Sequence, residues 1–231
     1  MPESRGLAVE QNYLPTMVQG VLVGDMTRHS SIRVLDRLNL EKVLKETESG
    51  IYKNEADYGK LGEIANVDYA LTGNITKTGA GYAMQIQVVG TGKSTVGVTK
   101  ASYSGSFTIA ELDDFTGIRR ASLELLTQMG VVLTDSAKRE LSGAGSAAYV
   151  NAQTALARGI VAQRGGNIIE SMAQFYEANS YDASFAEAAA RANTLSTTIR
   201  TGSFGENFRN DLAWRDEWIK ILEDARRYLA D

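Results

Sequence analysis

The amino-acid sequence predicts an α/β (α+β) domain with helices packed on a sheet, followed by an all-α region. Three observations predict it. Tyr82, Met84, Ile86 and Val88 alternate with Ala83, Gln85, Gln87 and Val89 between glycine-containing turns, the two-residue period of a strand with one buried face. Apolar residues on both sides of this stretch recur every three or four positions, the period of a helix face. From Ala144 onward 18 of 88 residues are alanine, against 10 in the 143 before, and strand patterns vanish. The expected division is therefore 1–142 for the α/β domain and 143–231 for the helical region.

Taken in order, Leu14, Met17, Val18, Val21, Leu22 and Met26 form one apolar face of a helix over residues 12–29, with Pro15 tolerable in its first turn. The β-branched run SIRVLD (31–36) reads as a strand, and Asn39 caps a helix carrying Leu40, Val43 and Leu44. A further helix runs from Asn54 to Asn66, ahead of a strand over residues 67–78 and a turn at Gly79 and Gly81. After the alternating strand, GTGKS (90–94) makes the next turn, and a strand over residues 95–107 changes parity, which predicts a bulge near Thr99 and Lys100. Thr108 and Glu111 form a capping box that opens one long helix to about Leu141, buried along Phe115, Ile118, Leu125, Leu126, Met129 and Leu133. In the alanine-rich region Ala155, Leu156, Gly159 and Ile160, then Ala173, Tyr176 and Ala178, then Tyr181, Phe185 and Ala188 mark successive helices, with a turn at Gly165 and Gly166. Residues 204–229 offer an apolar surface too broad for a lone helix, including Trp214 and Trp218.

Composition excludes several classes of function. The formal charge of −4 divides into −2 on each side of Gly143, with no run of Lys or Arg, so the electrostatic footprint for nucleic acid is missing. The chain has no cysteine, which removes disulfides, thiolate metal sites and a cysteine nucleophile. No apolar stretch reaches the roughly 18 residues of a spanning helix.

Candidate chemical motifs are few. GTGKS departs from a phosphate loop, which needs a glycine where Gln87 stands and a helix where a strand follows, so the turn reading is preferred. His29 is the only histidine, which rules out a two-histidine metal site, and its place at a helix end reads as structural. The acidic pairs Asp113/Asp114, Asp216/Glu217 and Glu223/Asp224 are sequence neighbours that point in different directions on helices, unlike two carboxylates sharing one substrate. We expect no catalytic residues, no metal site and no cofactor. For partner binding the aromatic residues Trp214, Trp218, Tyr176 and Tyr181 are the candidates, because aromatic anchors dominate protein interfaces.

The segments VQGVL, SIRVLDRLNLEKVLKETESG and LGEIANVDYALTGNI resemble the CsgG-type (curli assembly) and TolB N-terminal-like domains of bacterial envelope proteins. Leu61, Gly62, Ala65, Asp68 and Gly73 carry the helix-to-strand junction of that resemblance, which covers about the first 140 residues. It implies a mixed-sheet, sandwich-like α/β domain, periplasmic or outer-membrane-associated, that serves assembly, export or regulation through other envelope proteins. Such domains begin with a strand before the first helix. Residues 1–6 are expected to supply none, so that strand and any lipid-bearing cysteine would lie upstream. Residues 155–188 resemble one tetratricopeptide unit and the start of another, which needs a neighbour to bury its face. The expectation is a non-enzymatic protein-binding module, with a homo-oligomer possible. One rival is a subunit of an oligomeric CsgG-like secretion channel. Another is a carboxylate-dependent hydrolase with two facing carboxyl groups within about 10 Å.

Overall fold

The computed structural model describes residues 3–5, 7, 11–29, 62, 63, 65–79, 81–201, 220 and 223. The strand expected at 31–36 and the helix expected after Asn39 lie outside the described residues, as does the aromatic helix of 204–229 apart from two positions. The chain divides into two compact units, Met1–Gly145 and Ser146–Asp231.

The first unit is built on a four-stranded sheet in the order β1 (Glu3–Arg5), β2 (Tyr69–Lys77), β3 (Gly81–Gly90), β4 (Thr99–Thr108). β1 pairs with β2 in parallel and the other neighbours are antiparallel, so the sheet is mixed. The expectation that residues 1–6 supply no strand is thereby corrected. Glu3, Ser4 and Arg5 carry no apolar pattern, but an edge strand is recruited through its backbone, here onto Asn74, Ile75 and Thr76.

Alternation decides which face of the sheet is covered. Tyr82, Met84, Ile86 and Val88 of β3, with Ala101, Tyr103 and Phe107 of β4, point into the core, and the rings of Tyr82 and Phe107 stack at 6.2 Å between centroids. Helix α1 (Leu14–His29) lays Leu14, Met17, Val18, Val21, Leu22 and Met26 against this core, as their spacing predicts. The parity change in β4 is a bulge. Val88 pairs with Ala101 and Val89 with Thr99, leaving Lys100 as the extra residue. β4 nevertheless starts later than expected, because residues 95–98 form the loop, closed by Gly90 N–H to the Val98 carbonyl at 2.9 Å.

The single long helix expected from Thr108 is three helices, α2 (Ile109–Asp113), α3 (Thr116–Gln128) and α4 (Asp135–Leu141). The capping box forms as read. Thr108 N–H donates to Glu111 at 2.9 Å while Glu111 N–H donates to the Thr108 hydroxyl at 3.2 Å. The first break is Phe115, at φ 67°, whose ring is buried in the core. Asp114 Oδ1 then accepts from the Thr116 N–H at 2.9 Å and restarts the helix. Gly130, at φ 80°, makes the second break, and Thr134 caps α4 by accepting from Ala137 N–H at 3.1 Å.

The second unit is helical among its described residues: α5 (Ala147–Arg164), α6 (Ile168–Tyr181) and α7 (Ala186–Thr201). Ser146 caps α5 and Asn167 caps α6. The short Gly165–Gly166 connection folds α5 and α6 into a hairpin whose core joins Leu156, Ile160, Met172, Phe175, Ala188 and Leu195. The two helices approach closely at Gly159, where a Cβ would lie 2.6 Å from the Phe175 ring. The buried stripe of α6 is Met172, Phe175 and Ala178, so the expected stripe through Ala173 and Tyr176 is displaced by one position. Phe175 is the bulkiest wholly apolar side chain of that turn and is fully buried.

Candidate interaction surfaces

The face of the sheet opposite α1 and α3 is polar and carries no charge along its centre. Strand register aligns Thr72, Gln87 and Ser102 in one row, Asn74, Gln85 and Ser104 in the next, and Thr76, Ala83 and Ser106 in the third. Gln85, Gln87, Ser102, Ser104 and Ser106 are exposed and the others half-buried. Asn74 Nδ2 donates to Gln85 Oε1 at 3.3 Å, a cross-strand pair that fixes both amides. Amides and hydroxyls in such rows donate and accept hydrogen bonds without demanding a charged partner. The surface therefore suits the backbone and polar side chains of another protein better than phosphate.

Charge gathers at the β4 edge of the sheet. Glu111 receives the Thr108 N–H, pairs with Arg120, and receives the Thr108 hydroxyl, which together hold its carboxyl down to about 2. Arg120 also reaches Tyr103, whose hydroxyl is pushed above its ordinary value chiefly by burial. Beside them Gln128 of α3 donates to the Ser102 carbonyl at 2.8 Å and accepts from the Ser102 N–H at 2.9 Å.

A buried polar cluster lies beneath, which the sequence reading missed. Asp25 is 0 % exposed, accepts from the Ser122 hydroxyl at 2.8 Å and sits 3.9 Å from Arg119 Nε. Arg119 Nη1 donates to the carbonyls of Glu140, Gly143 and Ala144 at 3.3, 3.4 and 2.9 Å. The guanidinium thus ties the end of α4 and the chain beyond it to α1. One signal was available. Asp25 falls three residues after Leu22 and four after Val21, on the apolar face of α1.

Of the predicted binding residues, Trp214 and Trp218 lie outside the described residues. Tyr176 is half-buried against the helical core, and Tyr181 ends α6, 41 % exposed, with its hydroxyl donating to Glu177 Oε1 at 3.3 Å. Five positions apart on α6, the two fall on different sides of the helix. α1 ends at His29. Asp113 is exposed, whereas Asp114 is engaged in starting α3. In GTGKS the working residue is Thr91, buried, whose N–H donates to the Asp68 carbonyl at 2.9 Å and whose hydroxyl donates to the Val67 carbonyl. It staples the turn to the entry of β2. Among the described residues no group of three acidic, histidine or cysteine side chains could hold a metal ion, and no helix is long and apolar enough to cross a membrane.

Residues 6–110 match the family model described as curli production assembly/transport component CsgG, a span just under half of the chain that runs from the exit of β1 into α2. No curated protein and no solved structure matches the chain.

Proposed function

We propose that this chain is a non-enzymatic module of the bacterial cell envelope that binds other proteins in assembly, export or regulation. The observation that carries the reading is the coincidence of the CsgG-type match with the sheet itself: α1, β2, β3 and β4 all fall within residues 6–110, and they present an uncharged polar face built for hydrogen bonding. The same similarity supports an envelope location, which we place in the periplasm or at the outer membrane. The helical unit adds a second binding element of tetratricopeptide type, with Tyr176 and Tyr181 on α6 and Trp214 and Trp218 beyond it as its aromatic anchors. Both elements act without cofactor or metal.

The description of that family as an assembly and transport component also favours a second reading, a subunit of an oligomeric secretion channel. One experiment separates them. A photo-crosslinking side chain is placed at Gln87, and as control at Val132, which is 95 % exposed and lies between α3 and α4. The binding module gives a defined adduct with another envelope protein at Gln87 only, lost on Ser102→Arg. Adducts between copies, with a ring mass in detergent, point to the channel, and adducts at neither position sink both.

A further inference from the structure

β4 is the terminal strand of the sheet among the described residues, and alternate residues of a strand send their N–H and C=O groups to the same side. Ser102 shows which side is free, since both its backbone groups bond Gln128 rather than β3. The outward set is then Ser102, Ser104, Ser106 and Thr108. Gln128 occupies the first, and Glu111 takes the Thr108 N–H at 2.9 Å. Only Ser104 and Ser106, both exposed, lie open between them.

The Gln128 amide makes with Ser102 the same pair of bonds that a residue of an added strand would make, one donated and one accepted. It is held there from its own helix, donating also to Glu124 Oε1 at 3.1 Å. The free edge is self-complementary as well. With a second copy of β4 antiparallel and Gly105 opposite Gly105, each Ser104 meets a Ser106, each Tyr103 meets a Phe107, and each Ser102 meets a Thr108. Hydroxyl meets hydroxyl, aromatic meets aromatic, and no charge opposes its like, because Lys100 falls outside the register. With Gln128 in place the two open residues of each copy can pair. With it withdrawn, the Ser102 N–H is freed for the Thr108 carbonyl of the other copy, whose own N–H stays with Glu111.

We propose that Gln128 is an edge plug that restricts antiparallel β4-to-β4 pairing, and that the edge it guards takes a second copy of this chain. The inference rests on the edge geometry alone and needs no envelope partner. It is tested on the full chain by light scattering over a range of concentrations, with circular dichroism to verify folding. Gln128→Ala should raise the self-association constant about tenfold over the unsubstituted chain, the scale of a backbone hydrogen bond gained by each copy. Adding Ser104→Pro, which removes one outward N–H at a position where an edge strand tolerates proline, should return association to its starting level. A folded Gln128→Ala chain that associates as before overturns the proposal. So does association that survives Ser104→Pro. Should Gln128→Ala fail to fold, Gln128→Ser shortens the side chain so that it reaches neither backbone group of Ser102, and unchanged association in that folded chain is equally fatal.

Discussion

Asp25, Arg119 and Ser122 show how one carboxylate in an apolar helix face becomes necessary once a guanidinium is buried opposite it. Truncating either partner of a buried pair leaves the other charge uncompensated, which typically costs about 3 kcal/mol or more. We expect Asp25→Ala to lower stability by that amount in urea denaturation. Asp25→Asn, which keeps an acceptor for the Ser122 hydroxyl, should cost less. Glu111 acts at the surface and answers to pH instead. Its carboxyl is held from the ordinary 4.5 down to about 2, first by the Thr108 N–H, then by Arg120 and the Thr108 hydroxyl. A depressed carboxyl stabilises the fold above its unfolded value, and that contribution fades as pH falls from 4.5 toward 2. Acid titration of stability should therefore be shallower over that window in Glu111→Gln than in the unsubstituted chain; identical slopes would remove Glu111 from the account. Of these residues, the capping box was legible because its two members stand three apart. The buried cluster was not, because its pairs lie 97 positions apart for Ser122 and Asp25 and 25 for Arg119 and Ala144.

At the scale of elements, the strands were legible where alternation is strict, as in β3, and the bulge at Lys100 was legible because parity must be repaired somewhere. The break at Phe115 was hidden for the opposite reason. Phe115, Ile118, Leu125 and Leu126 all face the core, so the apolar spacing continues across a point where the chain turns left-handed. Helix pairing in the second unit turns on Gly159, whose missing side chain admits the Phe175 ring. Gly159→Val should cost about 2 kcal/mol or more by overpacking. If denaturation shows no loss, the α5–α6 contact is looser than described. The sequence pattern placed Gly159 on one helix stripe and Tyr176 on the next, one residue away from the Phe175 side chain that meets Gly159.

At the scale of the whole molecule, the composition shift after residue 143 reflects a real change of architecture, from sheet to helices, because alanine suits close helix packing and is poor in strands. Among the described residues Ile75, Met84 and Ile118 are buried in the first unit, and Phe175, Ala188 and Leu195 join one core in the second. Asp25→Ala and Gly159→Val should accordingly add within about 0.5 kcal/mol in the double variant, and a larger coupling in the measured unfolding free energies would contradict independent cores. The polar face of the sheet was legible in outline, from Gln85 and Gln87 alone, but its rows needed the register of three strands. β1 has a consequence for the order of events during synthesis. Glu3 pairs with Asn74, so β1 must wait for about seventy further residues before its partner exists, the kind of distant pairing that slows folding. Helices α5 and α6, joined by a short turn, need no such delay once both have been made. The nascent chain thus carries β1 unpaired while that stretch is made, and β1 is a place where a chaperone would have something to protect.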